Sequence, residues 1–192
     1  MAEPATTSPL RLSGVETMRA LAHPTRLRML ELLRREPLSA SELARRLEIR
    51  FGSARFHLQL LVRGGLAQPA GERRGRGGLQ LLFSAPDEVR VDIDPAEPAT
   101  TAEMHHALVQ EIDRRLRSAA SDQRPGDSDV DVVSLREVRL TPGGREEAQR
   151  IAAEALRQIR ALDTTEGDAE PVSLGLLLFR TPRSTSNDAV RG

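Results

Sequence analysis

Residues 38–83 read LSASELARRLEIRFGSARFHLQLLVRGGLAQPAGERRGRGGLQLLF, and this stretch decides the fold. Ser39 and Glu42 stand three residues apart ahead of an apolar run, the spacing at which a serine hydroxyl and a glutamate carboxylate cap each other's amides. Leu38 and Leu43 occupy the staple positions on either side of that box. Ala40, Leu43, Ala44 and Leu47 then recur at helical spacing, which predicts a short helix. Glu48-Ile49-Arg50 is about as short as the 3–4-residue turns that join two crossed helices, with Ile49 set to plug the angle between them. A second helix is expected from roughly Ser53 to Arg63, its apolar set Ala54, Leu58 and Leu61 falling on one face. Gly64-Gly65 ends it as a C-terminal glycine cap does.

At about 100° per residue, the opposite face of that second helix collects Gly52, Phe56, Gln59, Leu60 and Arg63, flanked by Ser53 and Arg55. Phe56 is unusual there. It suits either contact with a thymine methyl or packing on a neighbouring element. His57, at the edge of the inward face, reads as a hydrogen-bonded structural histidine rather than a ligand or catalyst. Leu66-Ala67-Gln68-Pro69 predicts a short strand, Gly71 to Gly78 a mobile cationic tip, and Leu79 to Phe83 the returning strand. Helix, turn, helix and basic hairpin in that order describe a winged helix-turn-helix, whose second helix is shaped for a DNA major groove. Guanidinium groups of Arg73, Arg74 and Arg76 on the hairpin can follow phosphates without any base chemistry. A merely solvated charged loop is the alternative.

Composition is consistent with this reading once it is divided along the chain. The 192 residues, room for one or two modest domains, carry no formal net charge. Residues 11–90, however, hold 15 Arg against 8 acidic side chains, a net +7, whereas residues 91–192 hold 13 Arg against 19 acidic side chains, a net −6. A basic front and an acidic back are expected when one part meets phosphate and the other does not. There is no Cys and no Lys, which removes disulfides, thiolate metal sites, cysteine nucleophiles, P-loop lysines and lysine Schiff bases. With four Phe and no Tyr or Trp, base-stacking platforms for single strands are disfavoured. No apolar run approaches the roughly 20 residues that span a bilayer, so no membrane partner and a cytoplasmic location are expected.

Working outward, residues 1–12 are expected as a disordered N-terminal arm and residues 13–90 as the winged helix-turn-helix. Val15, Met18, Leu21 and Ala22 predict one helix there; His23-Pro24-Thr25 breaks it, and Leu27, Leu30 and Leu33 continue as a second helix that ends before Pro37. Residues 101–118 predict a helix with Met104, Leu108, Ile112 and Leu116 in a stripe, usable for dimerisation or for burial within the chain. Ser118 to Asp129 reads as a linker. Residues 129–180 predict a small strand-helix-strand region around a helix capped by Thr141, and residues 181–192 a disordered tail. The fold class expected is α+β.

Four segments carry a family resemblance: Ala20-Leu21-Ala22-His23-Pro24-Thr25-Arg26-Leu27-Arg28, Leu43-Ala44-Arg45-Arg46-Leu47, Phe56-His57-Leu58-Gln59-Leu60-Leu61 and Gly75-Arg76-Gly77. In this order, the stretch from Leu12 to Pro86 resembles the ArsR-like winged-helix transcriptional regulators, and especially the bacterial branch with a C-terminal extension. The resemblance implies a homodimer, joined by helices outside the recognition helix, on a two-fold operator in double-stranded DNA near a promoter. It implies Ser53, Arg55, Phe56 and Gln59 in the major groove and Arg73, Arg74 and Arg76 on the backbone. Arg50 and Arg63, at the two ends of the recognition helix, complete the expected DNA-binding set.

The chain departs from the metal-sensing members of that family. The cysteine option is empty, and although Glu103, His105 and His106 fall on one predicted helix, adjacent histidines diverge by about 100° and cannot share a face. No metal, cofactor or catalytic residue is expected, and no enzymatic activity: the sequence holds no nucleophile elbow and no His-Glu-x-x-His motif. The leading function is a sequence-specific DNA-binding transcriptional regulator, a dimeric repressor. The alternative is a winged-helix protein-protein interaction module in which Phe56 and Leu60 form a partner surface. A small-molecule effector of unidentified chemistry is compatible with either, provided it binds the DNA-competent and incompetent states unequally.

Overall fold

The structure, a computed structural model, describes residues 10–75, 78–86, 89–92, 96–122, 138–164 and 172. The chain divides into two units, residues 1–122 and 123–192. The first unit holds β1 (Leu10–Ser13), α1 (Val15–Leu21), α2 (Pro24–Arg35), α3 (Ala40–Arg46), α4 (Phe51–Arg63), β2 (Gln68–Gly75), β3 (Gly78–Ser84), β4 (Val89–Asp92) and α5 (Pro98–Asp122). In the second, the described element is α6 (Pro142–Arg160).

Local chemistry sets the helix boundaries. The ring nitrogen Nδ1 of His23 accepts the amide of Thr25, Pro24 supplies the first residue of α2, and the helix stops at Arg35 just ahead of Pro37. The capping box at Ser39 and Glu42 is present in both directions. Between α3 and α4, Glu48 takes a left-handed backbone with φ 55°, which turns the chain within four residues. At the far end of α4, Gly65 has φ 71°, and the amide of Leu66 reaches back to the carbonyl of Leu61 at 2.9 Å. That is a Schellman-type stop, made accessible by a residue without Cβ.

The core is one cluster: Ala20 from α1, Met29, Leu30 and Leu33 from α2, Leu43 and Ala44 from α3, Ala54, Leu58 and Leu61 from α4, with Leu38, Leu66 and Ala67 between elements. Ile49 packs against it from the turn. Helix α1 crosses the end of α4 so closely that a Cβ added to Gly64 would stand 2.8 Å from the Cβ of Ala20. The hydroxyl of Thr17 donates to the Gly64 carbonyl at 3.0 Å at the same crossing. The two-stranded wing, β2 antiparallel to β3, joins the helical body through Leu38, whose amide and carbonyl both pair with Phe83 at 2.9 Å.

Several expectations need correction. Residues 10–12, expected in a disordered arm, form most of β1, which pairs in parallel with β4 in the register Leu10 to Val89 and Leu12 to Val91; residues 1–9 lie outside the described residues. Helix α4 starts at Phe51 rather than Ser53, because Arg50 already adopts the extended N-cap conformation. Gly71 to Gly75, expected in a mobile tip, are laddered to Gly78 to Leu82, and a bulge at Pro69/Gly71 absorbs the register shift. Main-chain pairing is indifferent to side-chain charge on an exposed hairpin, so Arg73 and Arg74 did not prevent a strand. Helix α5 is longer than the predicted 101–118 and continues to Asp122 through the start of the predicted linker. Its stripe also differs, since Thr100, Ala107 and Glu111 are buried while Leu116 is 59% exposed. The predicted strands around α6 and the tail 181–192 fall almost wholly outside the described residues.

Candidate nucleic-acid interface

Helix α4 presents two different faces. Ala54, Leu58 and Leu61 are no more than 3% exposed and fix the helix to the core. Arg50, Ser53, Arg55, Phe56, Gln59 and Arg63 are all exposed, as the periodicity predicted. None of Arg50, Arg55, Arg63 and Arg74 enters an ion pair among the described residues, so no described carboxylate neutralises their charge. The first turn of α4 carries no acidic residue. Its amide dipoles and the Arg50 guanidinium therefore add to one positive end, the arrangement that attracts phosphate.

Phe56 stays 57% exposed, with its edge turned toward the His57 ring at a centroid separation of 5.6 Å. That pair is the ring contact that Phe56 makes among the described residues. Phe51, which sequence reasoning left unassigned between turn and helix, is 55% exposed on the same helix. Its spacing to Arg55 and Gln59, four and eight residues on, was the signal that could have found it. Between α4 and the wing runs a groove of about 670 Å³ lined by, among others, Phe51, Arg55, Gln59, Arg63, Leu79 and Leu81.

Behind α4 lies an anchor that the sequence reading did not assign. Arg26 is buried; its Nε donates to the Ala20 carbonyl and its Nη2 to the Arg19 carbonyl, both at 2.6 Å, closing the C-terminal end of α1. Its Nη1 lies 3.4 Å from Nδ1 of His57 on α4. The His57 ring stacks at a tilt on His23, 4.5 Å between centroids. Burial, reinforced by His23 and by the Arg26 charge, pushes His57 down to about 4, so the ring is neutral and can accept the Arg26 donor. His23 is lowered for the same first reason, burial, and by Arg26 and Arg28. One guanidinium thus ties α1, α2 and α4 together, and the structural reading of His57 follows from its surroundings.

The wing arginines are not equivalent. Arg73 and Arg74 are consecutive strand residues, opposite Gln80 and Leu79, and their side chains leave the strand on opposite faces. Arg73 is ion-paired to Glu42 at the start of α3. Arg74 is exposed without such a partner among the described residues, and Arg76 lies outside them.

Helix α5 packs on α1 and α2. The Glu111 carboxylate, 4% exposed, accepts from Arg114 and Arg115 and sits 3.9 Å from Nε of Arg28 on α2; Arg115 also pairs with Glu31. Intrachain burial therefore claims one side of this helix, while Val109 and Leu116 remain exposed. Among the described residues no group of three or more acidic or histidine side chains could hold a metal ion, and His106 instead lies 2.9 Å from the Gln110 amide. No helix among them is long and apolar enough to cross a membrane.

Residues 21–68 match the family model of a helix-turn-helix domain. The matched stretch runs from the end of α1 to the start of β2 and holds the α3-turn-α4 pair, so the chain carries a helix-turn-helix, followed by the β2/β3 wing. Among solved structures, an ArsR-like transcriptional regulator from Rhodococcus sp. RHA1 is 29% identical over 55% of this chain and 85% of its own, with a TM-score of 0.32. The YusO protein of Bacillus subtilis is 16% identical over 74% of this chain and 81% of its own, at 0.30. The adhesin competence repressor AdcR of Streptococcus pyogenes is 10% identical over 77% and 82%, at 0.26. No curated protein matches the chain.

Proposed function

We propose that the protein is a sequence-specific transcriptional regulator, acting as a dimeric repressor, that reads a DNA major groove with α4 and holds phosphates with the wing. In this reading Ser53, Arg55, Phe56 and Gln59 meet base edges, Arg50 and Arg63 meet phosphates at the two ends of the helix, and Arg74 and Arg76 follow the backbone beside it. The observation that carries the proposal is the outer face of α4, exposed along its length, cationic, and unpaired to any described carboxylate. The helix-turn-helix family match supports it, as does the +7 charge of residues 11–90. Dimerisation is supported by the apolar side chains Val109 and Leu116 that α5 leaves uncovered, and it would give two recognition helices for two half-sites about one helical turn apart.

The test is a mobility-shift titration on duplex DNA from upstream of the protein's own gene, with size-exclusion chromatography to establish stoichiometry. Tight binding to one segment is expected, with log affinity falling in proportion to log salt at a slope of about −0.9 per phosphate contacted. Absent or salt-insensitive binding would overturn the proposal. In that case the exposed Phe51 and Phe56 favour the second reading, a winged helix that docks on a protein partner.

A further inference from the structure

We infer that Glu42 is a positioning residue for the wing, and that Arg73 is its strut rather than a phosphate contact. The inference rests on the DNA-binding reading above and refines it, dividing the wing arginines into one that braces and others that touch DNA.

Glu42 stands in the first turn of α3, where one carboxylate serves two elements. Its Oε2 accepts the Ser39 amide at 2.9 Å and the Ser39 hydroxyl at 2.8 Å, which completes the cap of α3. Its Oε1 accepts Nη2 of Arg73 from β2, thirty-one residues on in the chain. The Ser39 amide, with the Ser39 hydroxyl and Arg73 after it, holds this carboxyl below the usual carboxylate range, so it is charged at neutral pH. The Glu42 side chain is 16% exposed, and the Arg73 side chain still 50%. Ser39 is itself buried, so the anchoring end of the bridge cannot swing.

Main-chain links between wing and body lie at the base of the hairpin, where Leu38 pairs with Phe83 and, just beyond β3, the Ala85 amide donates to the Leu33 carbonyl. Arg73 lies five residues further out along β2 than Gln68, the residue paired with Ser84 at that base. A hairpin held at its base alone can rock; a second tie further out fixes its angle to α3, and through the short turn to α4. Strand alternation then places Arg74 on the face away from Arg73, so that turning one arginine to the body turns the next one outward.

The alternatives differ in the sign of a single measurement. Glu42→Gln keeps a side chain that can still complete the capping box but removes its charge. If Arg73 is a strut, Glu42→Gln and Arg73→Ala each weaken binding twofold to fivefold, as loss of an exposed ion pair of up to about 1 kcal/mol allows, and the double variant is no weaker than either. The slope of log affinity against log salt stays that of the unsubstituted chain in all three. If Arg73 contacts phosphate, Glu42→Gln releases it and strengthens binding, while Arg73→Ala lowers the slope by about 1. Either of those results would overturn the inference. The probe is a duplex of about 30 base pairs, enough for two half-sites one turn apart, selected from a random pool by the full chain.

Amide hydrogen exchange on the free protein separates this inference from the wider reading. Glu42→Gln should speed exchange at residues 79–82 while leaving the amides of α2 protected. Unchanged exchange there would sink the strut even if DNA binds, and faster exchange would support it even if no duplex is bound.

Discussion

Helices α4 and α6 carry the same kind of message and meet different fates. Both repeat apolar residues at helical spacing, Ala54, Leu58 and Leu61 in one and Ala148, Ile151, Ala152, Ala155, Leu156 and Ile159 in the other. In α4 all three are buried; in α6 no residue is, and Ile151 and Ile159 remain 55% and 48% exposed. An amphipathic pattern states which face seeks apolar surface. It does not state whether such surface lies within reach. For α4 it does, because a short turn, a cap and a glycine stop deliver the helix onto α1 and α3 within a few residues of chain.

The largest expected effect tests that contrast directly. Leu61→Ala should cost about 2–5 kcal/mol in urea denaturation, the range for truncating a buried leucine, whereas Ile159→Ala should cost less than about 1 kcal/mol. Equal losses would break the comparison, and would mean that the apolar face of α6 is packed in solution. Next in size are the two kinds of contact expected at the DNA surface. Gln59→Ala should change preference at particular base pairs by about 1–3 kcal/mol, while Arg74→Ala should weaken every sequence alike and flatten the salt dependence by about one charge. Uniform losses from both, measured across a panel of single-base variants of a bound duplex, would remove α4 from the bases.

Helix caps sharpen the comparison at a smaller scale. Both α3 and α6 begin with a hydroxyl cap, Ser39 and Thr141, the latter accepting the Gly144 amide at 3.1 Å. Ser39→Ala should cost about 1–2 kcal/mol of global stability because its helix is part of the core, and Thr141→Ala about 0.5 kcal/mol, visible as fraying of α6 by circular dichroism. A separate effect is a pH slope. His57 is held neutral, its value in the fold about 4 against an ordinary 6.5. The unfolded chain therefore takes up a proton first as pH falls, and stability present above about 6.5 is lost progressively toward 4. His23, lowered in the same direction, adds to the same window. The slope of the unfolding midpoint between pH 7 and 5 should shrink in His57→Gln, and an unchanged slope would place the titrating group elsewhere.

Much of the first unit was legible because its signals are local. The capping box, Pro24 at the start of α2, the glycine stop after α4 and the inward set Ala54, Leu58 and Leu61 each involve residues within one or two turns of each other. The parallel pair β1 and β4 was not legible: Leu10 with Leu12 and Val89 with Val91 alternate over only four residues each, and their pairing spans most of the domain. The same limit applied at the candidate site. Exposure of Arg55, Phe56 and Gln59 followed from periodicity, but three arginines in one cationic hairpin looked alike until the partner of Arg73 was in view.

The sequence by itself determined the order of elements from α1 to β3, the inward and outward faces of α4, its glycine stop and the division of the chain into a basic front and an acidic back. These depend on spacing and side-chain chemistry along a few consecutive residues. Only the tertiary structure decided that Arg26 would close α1 and face His57, that Glu42 would reach the wing, and that α5 would bury Glu111 against α2 rather than its full apolar stripe. Those outcomes depend on which side chains from distant segments come within hydrogen-bonding distance, and residue periodicity carries no information about that.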